Sequence, residues 1–201
     1  MFICKLYIWC LPIFVGCAII SVNGDASEFF PSGDLTNVTW AHAVNSKAKL
    51  QEALQNPGVR MLEADIVMGA IIGTEIRYTP IMAHPPAVQS DLSFQEFITT
   101  VVEFNEGKSL ESRKGVKLDF KTIVAVERVV KSIQALQITD FPVWLNADIL
   151  KGPGGFPFPI PATKFIELCQ QYLPTNTLSI GWTTGGNEEG RKLLTFGINI
   201  E

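Results

Sequence analysis

Two short segments hold the residues best suited to chemistry: Glu63-Ala64-Asp65 and Lys117-Leu118-Asp119-Phe120-Lys121. Each spaces charged side chains two residues apart inside an apolar run, which puts them on one face of a strand. Glu63, Asp65 and Asp119 supply hard carboxylate oxygens of the kind that hold Ca²⁺ or Mg²⁺. Zinc fits less well, because no cysteine thiolate accompanies them. The plainer reading pairs Asp119 with Lys121 or Lys117 as ordinary ion pairs. The chain has two histidines, His42 in WAHAVNS and His84 in MAHPP, each where a strand is expected to end. Imidazoles titrate near neutral pH, so the two suit a general base and a general acid flanking a metal. Lys121 beside them would neutralise a phosphate oxygen. Metal and lysine together would then stabilise in-line displacement at phosphorus. The competing reading is a hydrogen-bonded polar plug.

Such residues need a scaffold that points them together. Strand patterns fall at 38–44, 59–67, 80–84, 116–121, 141–149 and 177–182, with helical patterns between most of them. Leu50, Ala53 and Leu54 share a helix face, and Pro57-Gly58 ends that helix. Ser93 and Glu96 form a capping box ahead of Phe94, Phe97, Ile98 and Val101. Ile123, Val126, Val130 and Ile133 recur at helical spacing, and a further helix is expected over 163–173. Residues 68–79 lack that period and predict a hairpin-like excursion; 151–161 are a Gly/Pro-rich loop long enough to cover a site. A loop over 183–187 and a short helix over 188–196 complete the pattern.

Alternating strands and helices predict a parallel sheet, either open and doubly wound or closed as a (β/α)8 barrel. An open sheet would bury Glu63, Asp65, Lys117, Asp119, Lys121, Asn146 and Asp148 under helices. A barrel mouth gathers them into one cleft. The expectation is therefore a TIM-type α/β barrel. Six strand–helix units are counted where eight are needed, so an incomplete, C-terminally truncated barrel with open edges is expected, ending in an apolar stretch at 193–200.

Composition narrows the partners. The chain has 201 residues, 47% hydrophobic and 18% charged, with a net charge of −4. That excludes a disordered chain and the basic footprint of a nucleic-acid binder. Residues 1–24 read as a secretory signal with an apolar core from Leu6 and a cleavage site at Val22-Asn23-Gly24; a membrane anchor is the rival. Residues 25–37 read as a polar leader and 38–201 as one domain. No membrane anchor is expected after cleavage. Cys4, Cys10 and Cys17 would be lost with the signal, leaving Cys169 as a buried, unreactive thiol. Asn37-Val38-Thr39 is a glycosylation sequon, usable in an extracellular protein.

The segments WAHAVNS, LEADI, AHPP, GVKLDFK, PVWLNADIL and LSIGWTT resemble the menorin family of secreted or membrane-tethered proteins. Menorin-like domains in turn resemble glycerophosphodiester phosphodiesterases. That resemblance implies catalytic roles for His42, His84 and Lys121, and metal ligation by Glu63, Asp65 and Asp119. It marks Asn45, Lys117, Asn146, Asp148 and Trp182 as residues of the mouth, although simple packing explains Trp182 equally well. The phosphodiesterase signature carries arginine and glycine after the first histidine, where this chain has Ala43 and Val44; His84 is followed by Pro85 rather than an acid. Two functions follow. One is metal-dependent hydrolysis of a phosphodiester or lysophospholipid; the other is a non-catalytic binding module for extracellular cell-surface proteins, as in neurite patterning.

Overall fold

The structure, a computed structural model, describes residues 6–8, 18–20, 29–30, 34–152, 155 and 158–183. Its strands are β1 (Leu6–Ile8), β2 (Ala18–Ile20), β3 (Trp40–Ala41), β4 (Met61–Ile71), β5 (Thr79–Met82), β6 (Gln89–Ser90), β7 (Gly115–Phe120), β8 (Val143–Lys151) and β9 (Leu178–Thr183). Its α-helices are α1 (Lys47–Gln55), α2 (Phe94–Asn105), α3 (Ile123–Leu136) and α4 (Ala162–Tyr172). Hydroxyl side chains cap three of these helices, one of them at the Ser93 box expected from the sequence. Ser46 Oγ accepts from the Lys49 N–H, Ser93 Oγ from Glu96 and Thr122 Oγ1 from Ala125. Expectations for 184–201 fall outside the described residues, as does most of the 1–24 signal.

β3, β4, β7, β8 and β9 lie side by side in that order, all parallel, and curl into a half-barrel. The side chains of β4, β7 and β8 alternate between its two faces. Leu62, Ala64, Ile66, Val116, Leu118, Phe120, Leu145 and Ala147 occupy one face and are fully or almost fully buried. They form one apolar cluster with Phe97, Ile98 and Val101 of α2, Val126 and Val130 of α3, and Phe165, Leu168 and Cys169 of α4. Phe120 and Phe165 meet edge to face at 6.2 Å. The other face carries the polar residues. Burying each large apolar side chain contributes about 1.5–3 kcal/mol, so the helix-covered face holds the fold.

Two expectations need correction. The strand expected at 80–84 is not a member of the parallel sheet. It is β5, shorter and antiparallel to β4, with Ile66 opposite Met82 and Gly69 opposite Thr79. The chain between β4 and β5 is a tight turn that includes Gly73 at φ +77°, too short for the crossover a parallel return requires. The parallel units described are therefore five, not six, and they form a curled half-barrel. The β9 edge is covered while residues 1–24 are present: β2 pairs with it antiparallel, and β1 pairs with β2.

Candidate functional site

Strand register brings the polar residues together. Asp65 on β4 stands opposite Asp119 on β7, Asp119 opposite Asn146 on β8, and Asn146 opposite Ser179 on β9. One step earlier, Glu63 faces Lys117 and Lys117 faces Trp144. Further along, Asp148 lies opposite Gly181. A Cβ on Gly181 would sit 2.4 Å from Asp148 Oδ1, so a larger residue would turn that carboxylate out of its present place. Ser179 was not singled out in the sequence. Its place in this row follows only from register, and its hydroxyl donates to Asn146 Oδ1 at 2.7 Å.

Glu63, Asp65 and Asp119 each present an oxygen within 4.8 Å of the others. Lys121, just past the end of β7, lies 2.7 Å from Asp119 Oδ2 and 3.0 Å from Asp65 Oδ1. The ion-pair reading of Asp119 with Lys121 is thus present within the acidic cluster, not instead of it. Lys117 goes elsewhere, its ammonium 5.8 Å from the ring centre of Trp40, which meets Trp144 edge to face. Asp119 Oδ1 is buried and has no hydrogen-bond partner. A buried carboxylate oxygen without a donor is costly unless a cation faces it. The donor set, three carboxylates and no thiolate, fits a hard divalent cation.

A turn before α1 braces two of these carboxylates. The Ala43 N–H donates to Glu63 Oε2 at 2.8 Å, and His42 Nε2 stands 3.6 Å from the same oxygen. Ala43 adopts φ +53°, a conformation that L residues other than glycine seldom hold. The Asn45 amide donates to Asp65 Oδ2 at 2.8 Å, and Asn45 Oδ1 accepts from the Asp65 N–H at 3.0 Å. The sequence singles out Asn45 but not this pairing, and gives no sign of the left-handed Ala43.

The electrostatics follow from burial and crowding. Burial pushes the Glu63 carboxyl above its ordinary range; Asp65 and Asp119 push the same way, while the Ala43 N–H and His42 pull back. Asp148 is likewise raised, by burial and by Asp119, against Lys121 and Lys117. Burial acts to lower Lys121, but Asp119 and Asp65 overcome it and hold the ammonium charged.

His84 follows Ala83, whose N–H donates to the Asp65 main-chain oxygen at 3.0 Å. Its ring is exposed, and Nδ1 lies 2.6 Å from the Pro85 carbonyl oxygen. It lines an open cleft of about 360 Å³ with Asn45, Met82, Gln89, Ser90 and Asp91. Asn45 therefore borders both the cleft and the acidic cluster. Trp182 follows Gly181, so its side chain leaves the opposite face of β9, where its ring lies beside Gly152. Asn37 is exposed, and its amide donates to Asp34 Oδ2 at 2.8 Å. Cys169 is buried in the apolar cluster, which pushes its thiol up to about 12 and keeps it inert. Among the described residues, no helix is long and apolar enough to cross a membrane.

Comparison with known proteins identifies the family. Residues 34–194 match the menorin N-terminal domain. Protein FAM151B of Homo sapiens is 40% identical over 157 residues, covering 78% of this chain and 53% of that protein. The chain thus spans about half the length of this curated relative. No solved structure matches it. The residues that carry the acidic cluster and its bracing turn all lie inside the matched span, and the chain belongs to the menorin family.

Proposed function

We propose that the concave face of this domain is a divalent-cation and phosphate pocket of the phosphodiesterase type, carried on a secreted, extracellular protein. The observation that carries this reading is the buried Asp119 Oδ1, unpartnered beside Glu63 and Asp65. Glu63, Asp65 and Asp119 would hold Ca²⁺ or Mg²⁺, which supplies charge stabilisation for a phosphoryl oxygen. Lys121 already stands within the cluster and offers a fixed positive charge to a second phosphate oxygen. His42, 3.6 Å from Glu63 and open to solvent, is placed to take a proton from an attacking hydroxyl. His84 would serve the leaving group from the cleft side. Asn45, Lys117, Asn146 and Asp148 frame the mouth, and the five parallel strands curl around it. Removal of residues 1–24 and glycosylation at Asn37 belong to the same reading.

The test is calorimetric titration of Ca²⁺ and Mg²⁺, followed by turnover assays on glycerophosphodiesters and lysophospholipids. Binding with metal-dependent turnover is the expected result. Absence of binding at millimolar metal would sink the pocket. A second reading, a non-catalytic binding module for cell-surface proteins, draws support from His84, whose exposed ring is turned to the Pro85 carbonyl. Metal binding without turnover on any phosphodiester favours that reading.

A further inference from the structure

From the geometry around Asn45 we infer that this residue is the positioning residue of the cation site, fixing which carboxylate oxygens face the ion. The inference rests on the cation-pocket reading above and adds to it a role that Asn45 exerts through Asp65. Carboxylates rotate, and a three-carboxylate site is strong only when each is held in one orientation. Asn45 holds Asp65 by two hydrogen bonds of opposite sense, at 2.8 and 3.0 Å. This engages Asp65 Oδ2 and leaves Oδ1 directed to Lys121 at 3.0 Å, the side on which Asp119 lies.

The same turn fixes Glu63. The Ala43 N–H takes Glu63 Oε2, the Val44 N–H donates to the Glu63 main-chain oxygen at 2.9 Å, and the Asn45 N–H closes back on the Ala43 oxygen at 2.8 Å. The Asn45 carbonyl in turn accepts from Ser90 Oγ at 3.3 Å, and Ser90 Oγ accepts from the Leu92 N–H at 3.0 Å. Asn45 is thus anchored through its main chain to the segment around β6 while its side chain grips β4. Alanine at 45 would free Asp65 to turn and would loosen the turn that holds Ala43 against Glu63.

The experiment compares Ca²⁺ and Mg²⁺ affinity, by calorimetry on folded protein, for the parent, Asn45→Ala and Asn45→Ser. Serine is the second variant because it keeps a hydrogen-bonding group for the turn yet cannot grip Asp65 from both sides. Ser93→Ala, which loses a helix cap away from the carboxylates, is the control for destabilisation alone. The expected result is a loss of about 10- to 100-fold in metal affinity for both Asn45 variants. Ser93→Ala should melt lower than the parent and bind with the parent's affinity. Asn45 variants that bind as the parent does would overturn the inference and leave the pocket standing. A parent that binds neither ion removes the pocket and the inference together.

Discussion

The two faces of β4, β7 and β8 are built from alternate residues of the same strands, yet obey different rules. On the helix-covered face Leu62, Ala64, Leu118 and Leu145 are wholly buried among other apolar side chains, where volume decides everything. On the concave face Glu63, Asp65, Asp119 and Asn146 are held by named partners at fixed distances, and a change of one atom type matters more than volume. Stability and chemistry are therefore separable in this sheet by parity. A substitution at Leu62, Ala64 or Leu118 should act on folding, and one at Asp65 or Asp119 on binding.

The largest expected effect tests the first half of that contrast. Leu118→Ala should cost about 2–5 kcal/mol of stability, read from denaturant unfolding, because it opens a cavity beneath fully packed helices. Protein that remains folded should keep its metal affinity. A loss of affinity without loss of stability would break the separation of faces.

Asp119→Asn tests the other half. Saturating Ca²⁺ or Mg²⁺ at a hundredfold excess over its dissociation constant should stabilise the parent by about 2.7 kcal/mol. Asp119→Asn should abolish that gain while leaving the metal-free fold standing. His42→Ala should keep the metal gain and lose any hydrolysis. Thermal melts with and without metal give the first comparison, and turnover assays the second.

Glu63→Gln sharpens the contrast through its sign. A raised carboxyl means that the folded chain holds the proton more tightly than the unfolded one. Metal-free stability should then fall as pH rises from the unfolded glutamate value, about 4.3, through the higher folded value. Asp148 acts in the same direction. Glutamine carries no such charge and still offers an oxygen to the Ala43 N–H. Glu63→Gln should therefore be more stable than the parent at pH 7 without metal, with a flatter pH profile, and should bind metal poorly. A variant less stable at neutral pH would show that Glu63 is structural.

The smallest effect is the control. Ser93→Ala removes the α2 cap and should cost about 1 kcal/mol with no change in metal affinity.

Much of this was legible from residue spacing. The i, i+2 pairs in EAD and KLDFK announce a shared face, and the serine cap at 93 falls where the sequence places it. Those signals are local. Ser179 escaped notice because its partner, Asn146, lies 33 residues away and meets it only through strand register. The direction of β5 is hidden for a similar reason: an apolar run bounded by prolines says strand but not which way the strand pairs. Ala43 gave no signal at all, since alanine ordinarily avoids positive φ.

Lys121 has a consequence for which ions the cluster tolerates. Three ionised carboxylates and one ammonium leave a formal surplus of two negative charges around Asp119. A monovalent ion leaves one of them uncancelled, a trivalent lanthanide overshoots, and a divalent ion brings the sum to zero. Discrimination would then arise from valence before ionic radius enters, because in a buried setting uncompensated charge is the dominant cost. Exchanging Lys121 for a neutral methionine would shift that balance toward trivalent ions. The lysine is in this sense a resident fourth charge, setting the valence of its guest.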